Sequence, residues 1–532
     1  MTSIRLGNLA LAFIALLIGG AFAGLSAIAA RDWSAAAAAF NNATLRIAAF
    51  TLWQAALSTI LSVAPAVLVA RAISRHPKFP GRALLLRMFA VPLGLPAIVA
   101  ALGVLALYGN AGLVGRAAEA LGLGHPPSVY GLTGILLAHV FFNLPLAARL
   151  LLEGLEAVPP DQWRLAAQLG MGPAATFRLI EWPAMRRVIA GVAALVFMLC
   201  VTSFTLVLTL GGGPGATTLE VAIYQSLLFD FEPARTAALT LVQIAVTIAA
   251  LWAMSRFGAD TGGDADLPLS GRRYGAPSRF ECAGDALVLA LAALFVAGPM
   301  AAVVVSGLEA DLLRLAGENA VRRATMTSLA FAALAALLCL ALSLSLVTMR
   351  QRLEATRRGG GAGLIETLAD RGASLVLVVP PVVIGAGWFV AMLVLGLDAF
   401  AIAPVMVVAV NAVMAMPFAV RVLRPAWDSA AERNDRLCAQ LGVAGWARAR
   451  LIDWPAMRRP LAVAFAFAMA LSLGDLGVIA LFGSDAVQTL PYLLYSRMGA
   501  YRTADAAGLA LFLALLCLAL MTLADRLGRQ DR

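Results

Sequence analysis

Apolar runs of about 20 residues recur along the chain, separated by short polar stretches. Twelve can be bounded: 8–30, 48–70, 88–109, 131–152, 188–210, 236–256, 284–306, 324–348, 374–396, 402–424, 460–482 and 504–525. A helix needs about 20 residues to cross a hydrocarbon core of about 30 Å. Strands of alternating polarity, which a membrane barrel would need, are not evident, so backbone groups must be satisfied within helices. The pattern predicts an all-α polytopic membrane protein with about 12 transmembrane helices. The first run, Leu6 to Ala30, is longer than the apolar part of a typical signal peptide and is read as an uncleaved span.

Two polar islands stand out against this background. Arg164 to Arg187 reads RLAAQLGMGPAATFRLIEWPAMRR, and Arg436 to Arg459 reads RLCAQLGVAGWARARLIDWPAMRR. The offset is 272 without a gap, and 16 of 24 positions are identical. Gly211 and Gly483 match at the same offset, and Thr218-Leu219 and Ile223-Tyr224 match Thr489-Leu490 and Leu494-Tyr495 at 271. Upstream, Val91-Pro92 and Val379-Pro380 open similar spans. An even number of spans per half makes these parallel repeats. The expected units are a first repeat at 1–257, a linker at 258–283 rich in Gly, Asp, Pro and Arg, and a second repeat at 284–532, with polar loops at 161–187 and 432–459.

Charge then sets the orientation. With the N-terminus inside, the inner segments carry 31 of the 40 basic residues. That bias predicts cytoplasmic termini and cytoplasmic islands. It also explains the net charge of +10 without nucleic acid. Only 13% of residues are charged, against roughly 25% in a soluble domain.

Each island predicts a helix–turn–helix knob. The first helices are expected at Asp161–Leu169 and Glu432–Leu441, with Asp161 as a cap and Gly170 and Gly442 as left-handed stops. The second helices are expected to end near Trp182-Pro183 and Trp454-Pro455. Two copies of one surface suggest two copies of one partner.

The chain lacks an ATP engine of its own. A phosphate-binding P-loop needs Gly-Lys followed by Ser or Thr, and the single lysine, Lys78, lies between Pro77 and Phe79. No catalytic arrangement of acids, histidines or nucleophiles can be read, and the five cysteines have no metal-like spacing. Neither cofactor nor metal is expected. Asp475, between Gly474 and Gly477 in the eleventh run, is the clearest ionisable group inside a span. Its counterpart at offset 272 is Ser203. With Thr205 and Asn143, these are candidate pathway residues. The segments 211–236 and 483–503 are expected as outer loops able to receive a soluble protein.

Gly170…Ile180-Glu181-Trp182-Pro183 and Gly442…Ile452-Asp453-Trp454-Pro455 resemble the EAA loop of ABC importer permeases. That resemblance implies a type I importer permease in the bacterial inner membrane. It also implies two cytoplasmic ATPase subunits docked on the knobs and a periplasmic solute-binding protein outside. Arg164, Ala167, Gly170, Ile180 and Pro183, with Arg436, Ala439, Gly442, Ile452 and Pro455, are then the candidate coupling residues. The family's leading Glu is Arg164 and Arg436 here, and the Ala after it is Leu165 and Leu437, so its acidic contact does not carry over. The stretches 131–156, 197–224 and 471–501 resemble the fused permeases of thiamine ABC transporters. Ferric iron and polyamine permeases share the architecture. An ion-coupled secondary transporter is the rival class, and it would need more intramembrane acids or histidines than are visible.

Overall fold

A computed structural model describes residues 2–122, 128–256, 279–357, 363–375, 379–443, 445–484 and 487–529. Most of the expected 258–283 linker therefore lies outside the described residues, and the next helix begins within it, at Arg279. Every regular element described is helical. The helices that carry the architecture are α1 (Thr2–Arg31), α2 (Asn42–Arg75), α3 (Ala97–Tyr108), α4 (Leu132–Glu156), α5 (Pro160–Gln168), α6 (Trp182–Val201), α7 (Thr205–Leu210), α8 (Leu219–Leu228) and α9 (Pro233–Arg256) in the first half. The second half contributes α10 (Arg279–Leu308), α11 (Asn319–Thr356), α12 (Pro381–Leu395), α13 (Ala403–Leu441), α14 (Trp454–Leu473), α15 (Gly477–Phe482), α16 (Leu490–Gly499) and α17 (Thr503–Arg529). Among the described residues, 11 helical segments are long and apolar enough to cross a membrane, and α12 adds a shorter apolar one.

The halves interlock. Within each half, α2 packs on α4 and α6, and α11 packs on α13 and α14 in the same way. The first helix of each half instead crosses to the other half: α1 lies on α11 and α12, while α10 lies on α2 and α3. Close backbone approach makes the crossings possible. A Cβ on Gly387 of α12 would stand 2.6 Å from the Ala21 carbonyl oxygen of α1. A Cβ on Gly103 of α3 would stand 2.7 Å from the Pro299 carbonyl oxygen of α10. The Trp388 indole donates to the Leu17 carbonyl at 2.7 Å and locks the first crossing. The proline that opens α12, Pro380, corresponds structurally to Pro96 at the start of α3, with matching extended backbone angles, and not to Pro92.

Among the described residues, the third, fifth and eleventh expected spans are broken. The third stops at Ala90, turns at Pro92–Gly94, and resumes at Ala97. The fifth ends at Val201 and restarts at Thr205, and the eleventh ends at Leu473 and restarts at Gly477. The segments expected as outer loops are also different. Each folds back as a short helix, α8 or α16, and α8 is buried along nearly its whole length. The run of apolar residues after Thr218 and Thr489 drives this burial.

Equivalent hydroxyls hold both re-entrant helices. The Leu219 amide donates to Thr51 Oγ1 of α2 at 3.0 Å, and the Leu490 amide donates to Ser328 Oγ of α11 at 2.7 Å. Both sites are buried, so an unpaired amide there costs about 1–3 kcal/mol. Thr51→Val is expected to destabilise by that amount, read as a lower unfolding midpoint of the detergent-solubilised protein. A midpoint equal to wild type would show that the bond contributes nothing.

Candidate functional site

The two knobs share a turn but are built differently. In the first, Pro159-Pro160 break the chain after α4, and α5 begins with Pro160 in its first turn. Asp161 does not cap this helix; it sits in the first turn and pairs with Arg164 at 3.3 Å. In the second, the positions at offset 272 are Ala431 and Glu432, and with no proline pair at that point α13 runs on to Leu441, 39 residues in all. The expected separate helix at 432–441 is thus the end of one long helix. Gly170 and Gly442 adopt φ of +61° and +65°, the left-handed conformation that a side chain disfavours.

After each turn the helix does not stop at Trp-Pro, as expected, but continues into the next span. A π-helical turn precedes each Trp-Pro, at Phe177–Glu181 and Ala449–Asp453. The wider turn accommodates a proline that has no amide to donate.

Ile180 is buried with Val158, Trp163 and Ala166, so it anchors the first knob and does not offer a surface. Arg164, Ala167 and Gly170 are exposed and Pro183 is half-buried. In the second knob Arg436, Ala439, Gly442 and Pro455 are exposed and Ile452 is half-buried. Asp435 stands where the first knob has Trp163, and Arg448 bridges it to Asp453 at 2.5 and 3.4 Å. Within itself, one knob is packed around a small apolar core and the other around an ion-pair network.

The outward surface is nevertheless the same. Leu165, Leu169, Leu179 and Trp182 are all exposed, and so are Leu437, Leu441, Leu451 and Trp454 at offset 272. Large apolar side chains are thus repeated at the same positions on both projections. Sequence reading had found the repeat but treated Leu165 and Leu437 only as departures from a motif.

Away from the knobs, the helix breaks meet around a cavity of about 230 Å³. It is lined by Leu93 to Ala97 before α3, by Thr205 opening α7, by Gly474, Asp475 and Leu476 between α14 and α15, and by Met521 of α17. Two of the candidate pathway residues, Asp475 and Thr205, therefore come together across the two halves. The Asp475 carboxylate also receives the amides of Gly477 at 3.1 Å and Val478 at 3.4 Å, so it caps α15 while bordering the cavity. Ser203 lies in the break before α7. Asn143 is buried, donates to Cys200 Sγ at 3.4 Å, and joins α4 to α6. His139 is likewise a packing group, bonded through Nδ1 to Ser58 at 2.9 Å. The sequence reading missed Glu220, which lies in a supposed outer loop but is buried on α8. The mostly apolar ten-residue stretch around it was the available signal.

Comparison with known proteins matches this arrangement. The model of the binding-protein-dependent transport system inner membrane component matches residues 66–261 and again 362–530. The chain is 58% identical over 520 residues to the thiamine transport system permease protein ThiP of Brucella abortus, covering 98% of this chain and 94% of the relative. It is 44% identical over 484 residues to the ThiP of Salmonella typhimurium, covering 91% and 89%. It is 37% identical over 517 residues to that of Haemophilus influenzae, covering 96% and 94%. A family match repeated along an interlocked, internally duplicated helical fold leaves one assignment: the chain belongs to the family of binding-protein-dependent ABC importer permeases, with the family's unit present twice in one polypeptide.

Proposed function

We propose that this chain is the inner-membrane permease of a thiamine importer. The cargo reading is supported by the similarity, at 37–58% identity over nearly the whole chain, to proteins named as thiamine transport permeases. One structural observation carries the mode of action: two knobs bearing the same exposed apolar residues at the same positions. Two copies of one cytoplasmic ATPase dock there, one per knob, and a periplasmic binding protein delivers cargo on the opposite side. The termini and knobs face the cytoplasm, in line with the basic bias of those segments.

ATP-driven closure of the ATPase pair moves the knobs, and the knobs move the helices continuous with them. The α6 and α14 helices run directly from the knobs to the breaks at Thr202–Phe204 and Gly474–Leu476. Movement of the knobs therefore reaches the cavity wall at Thr205 and Asp475 without an intervening flexible loop. Asp475, Thr205 and Ser203 border the pathway in this reading. Asn143 supports it through packing.

The test is reconstitution in liposomes with the ATPase and the binding protein. ATP-dependent uptake of labelled thiamine, absent without the ATPase, is the expected result. Uptake by the permease alone under an ion gradient would overturn the importer reading.

A further inference from the structure

Glu220 is the buried acid that the fold leaves unused. It is 1% exposed on α8, and neither carboxylate oxygen has a hydrogen-bond partner among the described residues. Asp475 differs, because two backbone amides already satisfy it. An enclosed carboxylate without a partner is strongly unfavourable, and inside a membrane such a group marks a functional pathway more often than a packing need. The fold does not require an acid at this position. The equivalent residue of α16, at offset 271, is Pro491, and the same short helix forms there.

The position of Glu220 follows from its neighbours on α8. Tyr224 lies four residues on, so the two side chains share one face. The Tyr224 hydroxyl lies close enough to interact with that of Tyr495, its equivalent on α16. That face of α8 is therefore turned toward the other half. There α8 also packs on α12, whose sequence PVVIGAGWFVAMLVL offers no charged partner. Thr51, which holds the start of α8, is 20 residues from Arg71 at the knob end of α2, about 30 Å along a helix. Glu220 thus lies on the side away from the knobs.

A second unpaired group stands at the same level. Ser226 of α8 and Thr236 of α9 are bonded at 2.6 Å where these antiparallel helices meet. Seven residues back along α8 is Leu219, and seven forward along α9 is Gln243, so both lie about 10 Å from that bond. Gln243 is fully buried, and its amide oxygen and nitrogen both lack partners among the described residues.

We propose that Glu220, with Tyr224 and Tyr495, forms a subsite on the side away from the knobs that takes an aromatic organic cation as it enters the pathway. The carboxylate compensates the fixed charge, the phenol rings offer π faces to the cation, and the Gln243 amide offers a donor and an acceptor to a ring nitrogen or amino group. In this arrangement the paired tyrosines close the subsite, and parting of the two halves opens it. This inference rests on the reading of thiamine as cargo.

The test uses the full complex of permease, ATPase and binding protein in liposomes. Glu220→Gln is expected to lower thiamine uptake at least tenfold, with ATP hydrolysis stimulated by the loaded binding protein within twofold of wild type. Glu220→Asp is expected to recover part of the uptake. The unfolding midpoint of Glu220→Gln is expected to stay level or rise, because an unpartnered buried acid is replaced by an uncharged group of the same size. Uptake within twofold of wild type, or a lowered midpoint with a parallel loss of ATP hydrolysis, would overturn the subsite while leaving the cargo reading intact. No thiamine uptake by the wild-type complex would overturn the cargo reading and the subsite with it.

Discussion

Changing Leu169 and Leu441 together to aspartate is expected to weaken capture of the ATPase about a thousandfold. Both side chains are about two-thirds exposed, 67% and 68%, and each stands immediately before the glycine of its turn. Burying one leucine against a partner contributes about 2 kcal/mol. That is about 30-fold in affinity per knob, and two knobs engaged at once multiply the effect. Aspartate forfeits the apolar term and adds a desolvation cost. Because neither side chain is buried within the permease, membrane insertion and unfolding should be unchanged. The measurement is a titration of purified ATPase against the solubilised permease, with Leu169→Asp alone as the intermediate case. Undiminished binding by the double variant would show that the knobs are not the docking surface. Gly170→Pro/Gly442→Pro acts on the same interface less cleanly, because it alters the turn itself.

These surfaces were legible in the sequence only in part. The repeat at offset 272 and the left-handed turns at Gly170 and Gly442 could be read, because a glycine ending a helical run has few other uses. The continuous α13 could have been read too: the second island lacks the Pro159-Pro160 pair that splits the first. The break at Gly474–Leu476 had a signal in the glycines beside Asp475, whereas the break at Thr202–Phe204 had none, because an apolar run reads the same whether it crosses straight or turns midway. The same ambiguity hid α8. Ten residues, seven of them apolar, are too few for a span and so read as a loop. The α8 helix is enclosed by α2, α9 and α12, and nothing local encodes those contacts. Glu220 was missed for this reason. Its chemistry was visible and its burial was not.

The two knobs are alike outside and unlike inside, so breaking their internal ties should have unequal consequences. Glu181 is 2% exposed, accepts from Arg71 Nε at 2.7 Å, and lies 4.0 Å from Arg75 Nε. The Arg71 guanidinium also sits 4.0 Å from the centre of the Phe177 ring. This cluster fastens the first knob to α2, whose far end holds α8 through Thr51. A single helix, with Pro65 between the two points, therefore joins the knob to the Tyr224–Tyr495 contact. Its counterpart Asp453 bonds instead to Arg448 within its own knob, and both partners are partly exposed. Glu181→Ala strands a buried guanidinium and is expected to destabilise by about 3–5 kcal/mol. Asp453→Ala, in a wetter pair, is expected to destabilise by about 0–1 kcal/mol. Thermal unfolding of the two variants side by side reads the difference. Transport separates the roles further. Glu181→Gln, which keeps the volume and removes the charge, is expected to retain ATP hydrolysis while uptake per ATP falls several-fold, and Asp453→Asn is expected to keep the two in step. If both variants lose stability and coupling equally, α2 is not the strut, and the ion pair at Glu181 is only one support among several. If only the Glu181 variant slips, the stroke of the ATPase reaches the far side of the membrane mainly through the first half, where the sequence placed a carboxylate that could be buried because two arginines were waiting for it.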